Sequence, residues 1–157
     1  MIIGIVAIAE NFAIGKGGKL PWHYPADMAF FKKTTVGNAV VMGMNTWRSI
    51  KKPLPKRLNV VLTRTSPEEL PVNVIAMSNV EEVEFLSGFL NCDVYVIGGA
   101  AIYGLFASRI DRWLVTHVPQ TVAEADVFFD KKLFEDFEEY KADDLGDGLR
   151  VSFMRRK

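Results

Sequence analysis

Short β-branched and apolar runs alternate along this chain with segments of helical pattern, and that alternation restricts the possible folds more than any other feature. Ile2 to Ala9 is the first run, unbroken until the polar pair Glu10-Asn11, which is the pattern of a strand covered on both faces. Ala39 to Gly43, Leu58 to Thr63, Val72 to Met77, Asp93 to Ile97 and Arg112 to Val118 repeat it. Between them the sequence predicts a helix opening at Pro25, a short one through Trp47 to Ile50, an acidic-faced one over Val80 to Leu90, and another over Ala100 to Ala107. The tail breaks the rhythm. Phe134 to Ala142 and Leu149 to Arg155, joined by Gly146-Asp147-Gly148, predict an antiparallel hairpin that closes one end of the sheet. The expectation is one α/β domain over residues 1–157, with a central mostly parallel sheet, flanking helices and that C-terminal hairpin, and with no repeat or linker.

A chain of 157 residues suffices for one core and one pocket. Its 19 basic residues balance 19 acidic ones, so no global field draws in nucleic acid or an anionic membrane, and an anionic ligand must be held locally. The aromatic residues do not interleave with basic clusters, which also speaks against nucleic acid. The single cysteine, Cys92, cannot form an internal disulfide and no Cys/His spacing matches a metal site, so no metal and a reducing, cytoplasmic setting are expected. Met1 to Ala9 has no basic leader and is too short to span a bilayer. No long exposed apolar helix stripe stands out, and a monomer is expected.

Open α/β sheets bind ligands at the carboxyl ends of their strands, which directs attention to the segments after Ala9, Gly43, Thr63 and Ile97. The stretch from Gly15 to Pro25, rich in glycine and proline around Trp22, predicts an irregular surface loop able to act as a lid. Asp27 follows in the first turn of a helix, with Phe31 and Thr35 on the same face and Leu20, Trp22, Met28 and Phe30 close in sequence. A carboxylate at that point can simply favour the helix dipole. In such apolar company it can equally face a pocket and accept paired hydrogen bonds from an amidine-like edge. Gly98-Gly99, between a strand and a helix, leaves backbone N–H groups for a diphosphate, although two glycines also suit a plain tight turn and the G-x-G-x-x-G spacing is missing. Thr63-Arg64 offers a hydroxyl and a guanidinium suited to a ribose 2′-phosphate. Arg57, at the end of Pro53-Leu54-Pro55-Lys56, is held stiffly enough for a bidentate carboxylate grip. His23 and His117 have no nucleophile at motif spacing, and no P-loop is present.

In combination these segments resemble the dihydrofolate reductase family. The resemblance is carried by Ile14-Gly15, Leu20-Pro21-Trp22, Pro25-Ala26-Asp27, Phe31-Lys32, Thr35, Gly43, Thr46-Trp47, Ser49-Ile50, Pro53-Leu54-Pro55 and Arg57. Thr63-Arg64, Ile97-Gly98-Gly99, Ile102-Tyr103, Thr116-His117 and Glu124-Ala125-Asp126 continue it over nearly the whole chain. It implies NADPH-dependent reduction of dihydrofolate to tetrahydrofolate, serving one-carbon metabolism. Asp27 would then be the ionisable group at the pterin, assisted by Thr116, with Leu20 and Trp22 beside the reacting atoms. Ile5, Met28, Phe31, Ile50, Leu54, Ile97 and Tyr103 would wall the substrate pocket, and Arg57 would grip the tail carboxylate with Lys32 and Lys52 nearby. For NADPH, the resemblance implies backbone contacts from Ala7 and Ile14, and closure by Gly15, Lys16, Gly17, Gly18 and Lys19. Asn45, Thr46, Gly98, Gly99, Ala100, Ala101 and Ile102 would lie along the diphosphate, Thr63 and Arg64 at the 2′-phosphate, and the Gly98–Gly99 peptide would be cis.

Two other readings share the scaffold. A pyrimidine reductase of riboflavin synthesis would handle a phosphate rather than a glutamate tail, for which the Asp27, Phe31 and Arg57 set is less suited. A non-catalytic binding module would carry a damaged Asp27 or Gly-Gly turn, and both are intact. The chain departs from the family pattern at Met44, where Arg or Lys is common, so one phosphate contact is missing and Arg64 should carry more of the preference for NADPH. Arg64→Ala is expected to narrow the NADPH over NADH ratio of kcat/KM; an unchanged ratio would refute that share.

Overall fold

The computed structural model describes residues 1–64 and 69–157. Its strands and helices run β1 (Ile2–Ile8), β2 (Ala13–Gly15), α1 (Pro25–Thr35), β3 (Ala39–Gly43), α2 (Met44–Ile50), β4 (Leu58–Leu62), β5 (Val74–Met77), α3 (Val80–Ser87), β6 (Val94–Gly98), α4 (Ala100–Leu105), β7 (Arg112–His117), β8 (Val127–Phe128), β9 (Phe137–Gly146) and β10 (Leu149–Arg156). Eight strands form one sheet in the order β5-β4-β3-β6-β1-β7-β10-β9, and β2 pairs with β8 in a separate ribbon. From β5 to β7 every pairing is parallel; β10 and β9 close that end antiparallel, as the tail predicts.

Strict alternation along the parallel strands sorts the side chains onto two faces. Ile2, Val6, Val41, Val60, Val94, Val96, Trp113 and Val115 meet on one, together with Tyr103 and Phe106 from α4. Ile3, Ile5, Val40, Met42, Val61, Tyr95 and Leu114 meet on the other, packed by Phe30 and Phe31 from α1 and Trp47 and Ile50 from α2. A parallel sheet covered in this way offers free backbone and open space mainly at its strand ends.

Several boundaries differ from the sequence expectation. Val72 lies outside β5, fully exposed, because a turn in which Val74 N–H donates to the Pro71 carbonyl precedes the strand. The third helix stops at Ser87 rather than Leu90, and the fourth at Leu105 rather than Ala107. Phe134 belongs to a 3-10 turn, Lys131–Phe134, not to β9. The stretch after Gly15, expected to be irregular, contains a tight hairpin in which Lys16 and Lys19 exchange both backbone hydrogen bonds around Gly17 and Gly18. Both glycines have φ above zero, which is what a two-residue turn of this kind requires. Phe85 on α3 and Phe89 just beyond its end are 72% and 73% exposed and contact each other. Among the described residues no helix is long and apolar enough to cross a membrane.

Gly4, in the middle of β1, admits the Trp113 ring, which packs against Tyr103, Phe129, Phe134 and Phe137. A Cβ at residue 4 would lie 2.4 Å from two atoms of that ring, and Trp113 is fully buried with no room to withdraw. Gly4→Ala is therefore expected to destabilise the fold by about 2 to 3 kcal/mol, as overpacking does. Urea unfolding would measure it, and a loss under about 0.5 kcal/mol would show that the ring can shift after all.

Candidate active site

Asp27 sits at the third residue of α1. The helix opens with Pro25 after Tyr24, whose side chain provides no cap. Among the described residues no backbone N–H of that first turn donates to the Asp27 carboxylate; the hydroxyl of Thr116, from the end of β7, lies near enough to lower its pKa. The carboxylate thus has a polar neighbour on the sheet while it stays in the first turn of α1, where its charge also favours the helix dipole. Burial pushes its pKa above the ordinary carboxylate value, and the Thr116 hydroxyl offsets only part of that. A carboxyl group held partly out of water, with one donor near it, can accept further hydrogen bonds from a ligand.

The apolar surroundings come from the face that α1 and α2 cover. Ile5, Phe31, Ile50, Leu54 and Ile97, expected as pocket walls, belong to that one cluster. Leu20 and Met28 are not part of it and are 58% and 56% exposed. Trp22 packs instead with Ala9, Ala13 and Val122, and its buried Nε1 has no partner among the described residues. Tyr103 is placed differently from the expectation. Its ring is buried on the opposite face against Trp113 and Phe129, because α4 packs there, and it reaches β1 through its hydroxyl, which donates to the Ile5 carbonyl at 2.7 Å. Burial pushes the Tyr103 pKa up, so the phenol remains a donor. Tyr103 thus fixes the Ile5 backbone, and the same hydroxyl stands beside the Gly98 turn.

Arg57 is anchored at two points. Its Nε donates to the Pro55 carbonyl at 2.9 Å, and one terminal nitrogen donates to Thr35 Oγ1 at 3.0 Å. Thr35 is itself tied to the Phe31 carbonyl at 2.8 Å. A guanidinium has five N–H donors, so a planar edge is left for a carboxylate. Lys32 and Lys52 are exposed, with no ion pair among the described residues.

A second group of elements meets at the ends of β3 and β6. Gly43 and Gly99 precede α2 and α4, and neither helix receives a side-chain cap. The two turns are close. A Cβ at residue 43 would meet Ile102 at 2.8 Å, and one at residue 99 would lie 3.9 Å from Thr46 Oγ1. The Gly98–Gly99 peptide is cis. Two sets of uncapped N–H groups with a hydroxyl between them fit an anionic diphosphate, which is the group NADPH would place there. Thr63 and the exposed Arg64 follow β4 on the same side of the sheet, and Asn45 and Ala101 are exposed beside the two turns. Met44 packs into the core instead of reaching outward, which accounts for the phosphate contact absent at that position.

A model of the dihydrofolate reductase family matches residues 1–155. The chain belongs to the dihydrofolate reductase family. It is 37% identical over 145 residues to the dihydrofolate reductase of Haemophilus influenzae, covering 89% of this chain and 88% of that one. With the enzyme of Neisseria meningitidis serogroup B it shares 34% identity over 154 residues, 96% and 93% of the two chains. A solved dihydrofolate reductase from Enterococcus faecalis, complexed with NADP(H) and RAB-propyl, superposes with a TM-score of 0.92 at 29% identity, over 100% of this chain and 96% of that one.

Sequence reasoning missed the strap that holds the 10–24 segment, although Asp126, one of its residues, stands in the family block Glu124-Ala125-Asp126. Gly17 N–H donates to Asp126 Oδ2 at 2.9 Å, and Asp126 N–H donates to the Gly15 carbonyl at 3.2 Å. The Lys16 ammonium reaches the Ala123 carbonyl, the Asn11 amide exchanges two bonds with Val122, and the Tyr24 hydroxyl donates to Gln120. These partners are separated by about a hundred residues of sequence, and no local pattern marks them.

The raised Asp27 pKa carries a stability consequence whose sign is fixed. An unfolded chain ionises this group near 3.8, the folded chain only at higher pH. As pH climbs between those values the unfolded state gains a charge the fold resists, so stability falls and stays lower above them. Asp27→Asn is expected to be more stable than the wild type at neutral pH, with the advantage gone below pH 3.8. Thermal unfolding across pH would measure this, and an advantage of equal size in acid would contradict it.

Proposed function

We propose that the Asp27–Thr116 pair is the centre at which this chain, an NADPH-dependent dihydrofolate reductase, binds and activates the pterin ring. The observation that carries the assignment of roles is the half-buried carboxylate whose pKa burial raises, with the Thr116 hydroxyl near it, on the helix that covers the face where five expected apolar walls cluster. A 2-amino-pterin edge presents two adjacent N–H donors to such a carboxylate, and a geometry of this kind is bidentate. The opposite end of the substrate carries a carboxylate, for which Arg57 is held ready by Pro55 and Thr35.

NADPH supplies the hydride that ends on C6 of the pterin, and a proton must reach N5. In this assignment Gly43, Thr46, Gly98 and Gly99 hold the diphosphate, Thr63 and Arg64 the 2′-phosphate, and Ala7 and Ile14 the nicotinamide side through backbone atoms. Lys16 to Lys19 form the tight hairpin over that region, with Gly17 tied to Asp126. Asp27 stays on the pyrimidine side of the pterin. Its negative charge makes N5 more basic, so that a water entering past the exposed Leu20 delivers the proton. The Trp22 indole N–H, buried and without a protein partner among the described residues, offers a donor to such a water. Orientation of the two rings by the surrounding walls supplies much of the rate, on the order of 7 kcal/mol.

Loss of NADPH absorbance on adding dihydrofolate, compared with a ribosylaminopyrimidine substrate, tests the activity directly; turnover of the pyrimidine alone would overturn it. Asp27→Asn is expected to lower turnover by about 100-fold or more at neutral pH. The deficit should shrink in acid, where the substrate arrives protonated. A variant near wild-type rate at neutral pH would remove Asp27 from the mechanism.

A further inference from the structure

The turn Pro53-Leu54-Pro55 contains a single backbone N–H, that of Leu54, because proline has none. No ladder of the sheet reaches it. What holds it is the side chain of Asn59, the second residue of β4. Asn59 Oδ1 accepts from the Leu54 N–H at 2.8 Å, and Nδ2 donates to the Leu54 carbonyl at 2.9 Å. The same Nδ2 donates to the Arg57 carbonyl at 2.9 Å. One amide thus pairs both polar groups of Leu54, as a neighbouring strand would, and fixes the main chain of Arg57 as well.

The location makes this a specific arrangement rather than a surface turn. Asn59 is 2% exposed, and its register partners are Val40 on β3 and Val74 on β5. Valine or isoleucine suits such a central position, and an amide is costly there unless it is hydrogen-bonded. Three of the four hydrogen bonds open to the amide are made, and all three go to the segment that carries Leu54 and Arg57. Side-chain anchoring of Arg57 comes from Pro55 and Thr35; the backbone beneath it comes from Asn59.

We infer that Asn59 is the positioning residue for recognition of the benzoylglutamate tail of the substrate. It touches no substrate atom and acts by holding the Leu54 wall and the Arg57 carbonyl as one rigid unit. The inference rests on the assignment of Arg57 to the tail carboxylate. None of the three Asn59 bonds goes to Asp27 or Thr116, so its direct hold is on the Leu54 and Arg57 end of the site.

The test compares dihydrofolate with a 6-alkyl-7,8-dihydropterin, which keeps the reducible ring and lacks the tail, at saturating NADPH and with the full chain. Two variants are used: Asn59→Ala, and Asn59→Asp, which keeps the size and the acceptor for Leu54 but turns lone pairs toward the two carbonyls. In both, KM for dihydrofolate is expected to rise about tenfold or more, with kcat within about twofold and KM for the tail-less pterin within about threefold. In an Arg57→Ala background, Asn59→Ala should add less than about a further threefold for dihydrofolate. Equal KM increases for the two substrates, a fall in kcat at constant KM, or full additivity with Arg57→Ala would overturn the role of Asn59. A wild-type chain showing no lower KM for dihydrofolate than for the tail-less pterin would overturn the Arg57 assignment itself, and this inference with it.

Discussion

β1 is buried on both faces and pairs in parallel with β6 on one side and β7 on the other, and the rest of the molecule is arranged around it. Parallel pairing forces each return connection over the sheet, so helices cover both faces and no backbone is available for chemistry along the strands. The polar groups that do chemistry are therefore confined to the carboxyl ends of the strands and to the first turns of the helices that follow. Asp27 meets Thr116 at one such end, and Gly43 meets the Gly98-Gly99 turn at another.

These ends are also where the fold gives up stability. Asp27 is held partly out of water, the Thr116 hydroxyl offsets only part of that, and its carboxyl group resists ionisation. Neither α2 nor α4 has a side-chain cap, although Asn79 caps α3 with a bond to the Glu82 N–H at 2.9 Å. α1 likewise has no side-chain cap, so the three helices that open at Pro25, Met44 and Ala100 share first turns without one, whereas α3 has one. Tyr103 shows the opposite tactic. A buried hydroxyl is used entirely on the Ile5 carbonyl, which holds β1 in place beneath the site.

Much of this architecture is legible in local residue patterns. Proline at 25, the position of Asp27 with Phe31 and Thr35 one and two turns later, and the Gly98-Gly99 pair between strand and helix are such patterns, and each lies where the sequence places it. The misplaced boundaries arise where apolar residues lie just outside an element, Val72 and Phe134 before β5 and β9, Leu90 and Ala107 after α3 and α4. The Lys16-Gly17-Gly18-Lys19 hairpin is also encoded locally, in two adjacent glycines, but lies inside a stretch too rich in proline and glycine to suggest regular pairing.

The sequence alone determined which segments become strands and helices, and with them the end of the sheet at which chemistry must lie, because periodicity and turn residues act over a few positions. Only the tertiary structure decided that Asp27 stands near Thr116, that Tyr103 belongs to the opposite face, and that Asn59 holds the Leu54 to Arg57 turn. It also decided that residues 120–126 hold the 10–24 segment. The physical reason is the same in each case. A polar side chain in a partly buried position takes whichever partner the packed strands bring within hydrogen-bond distance, and for Asp27 and the 10–24 segment that partner lies far away along the chain.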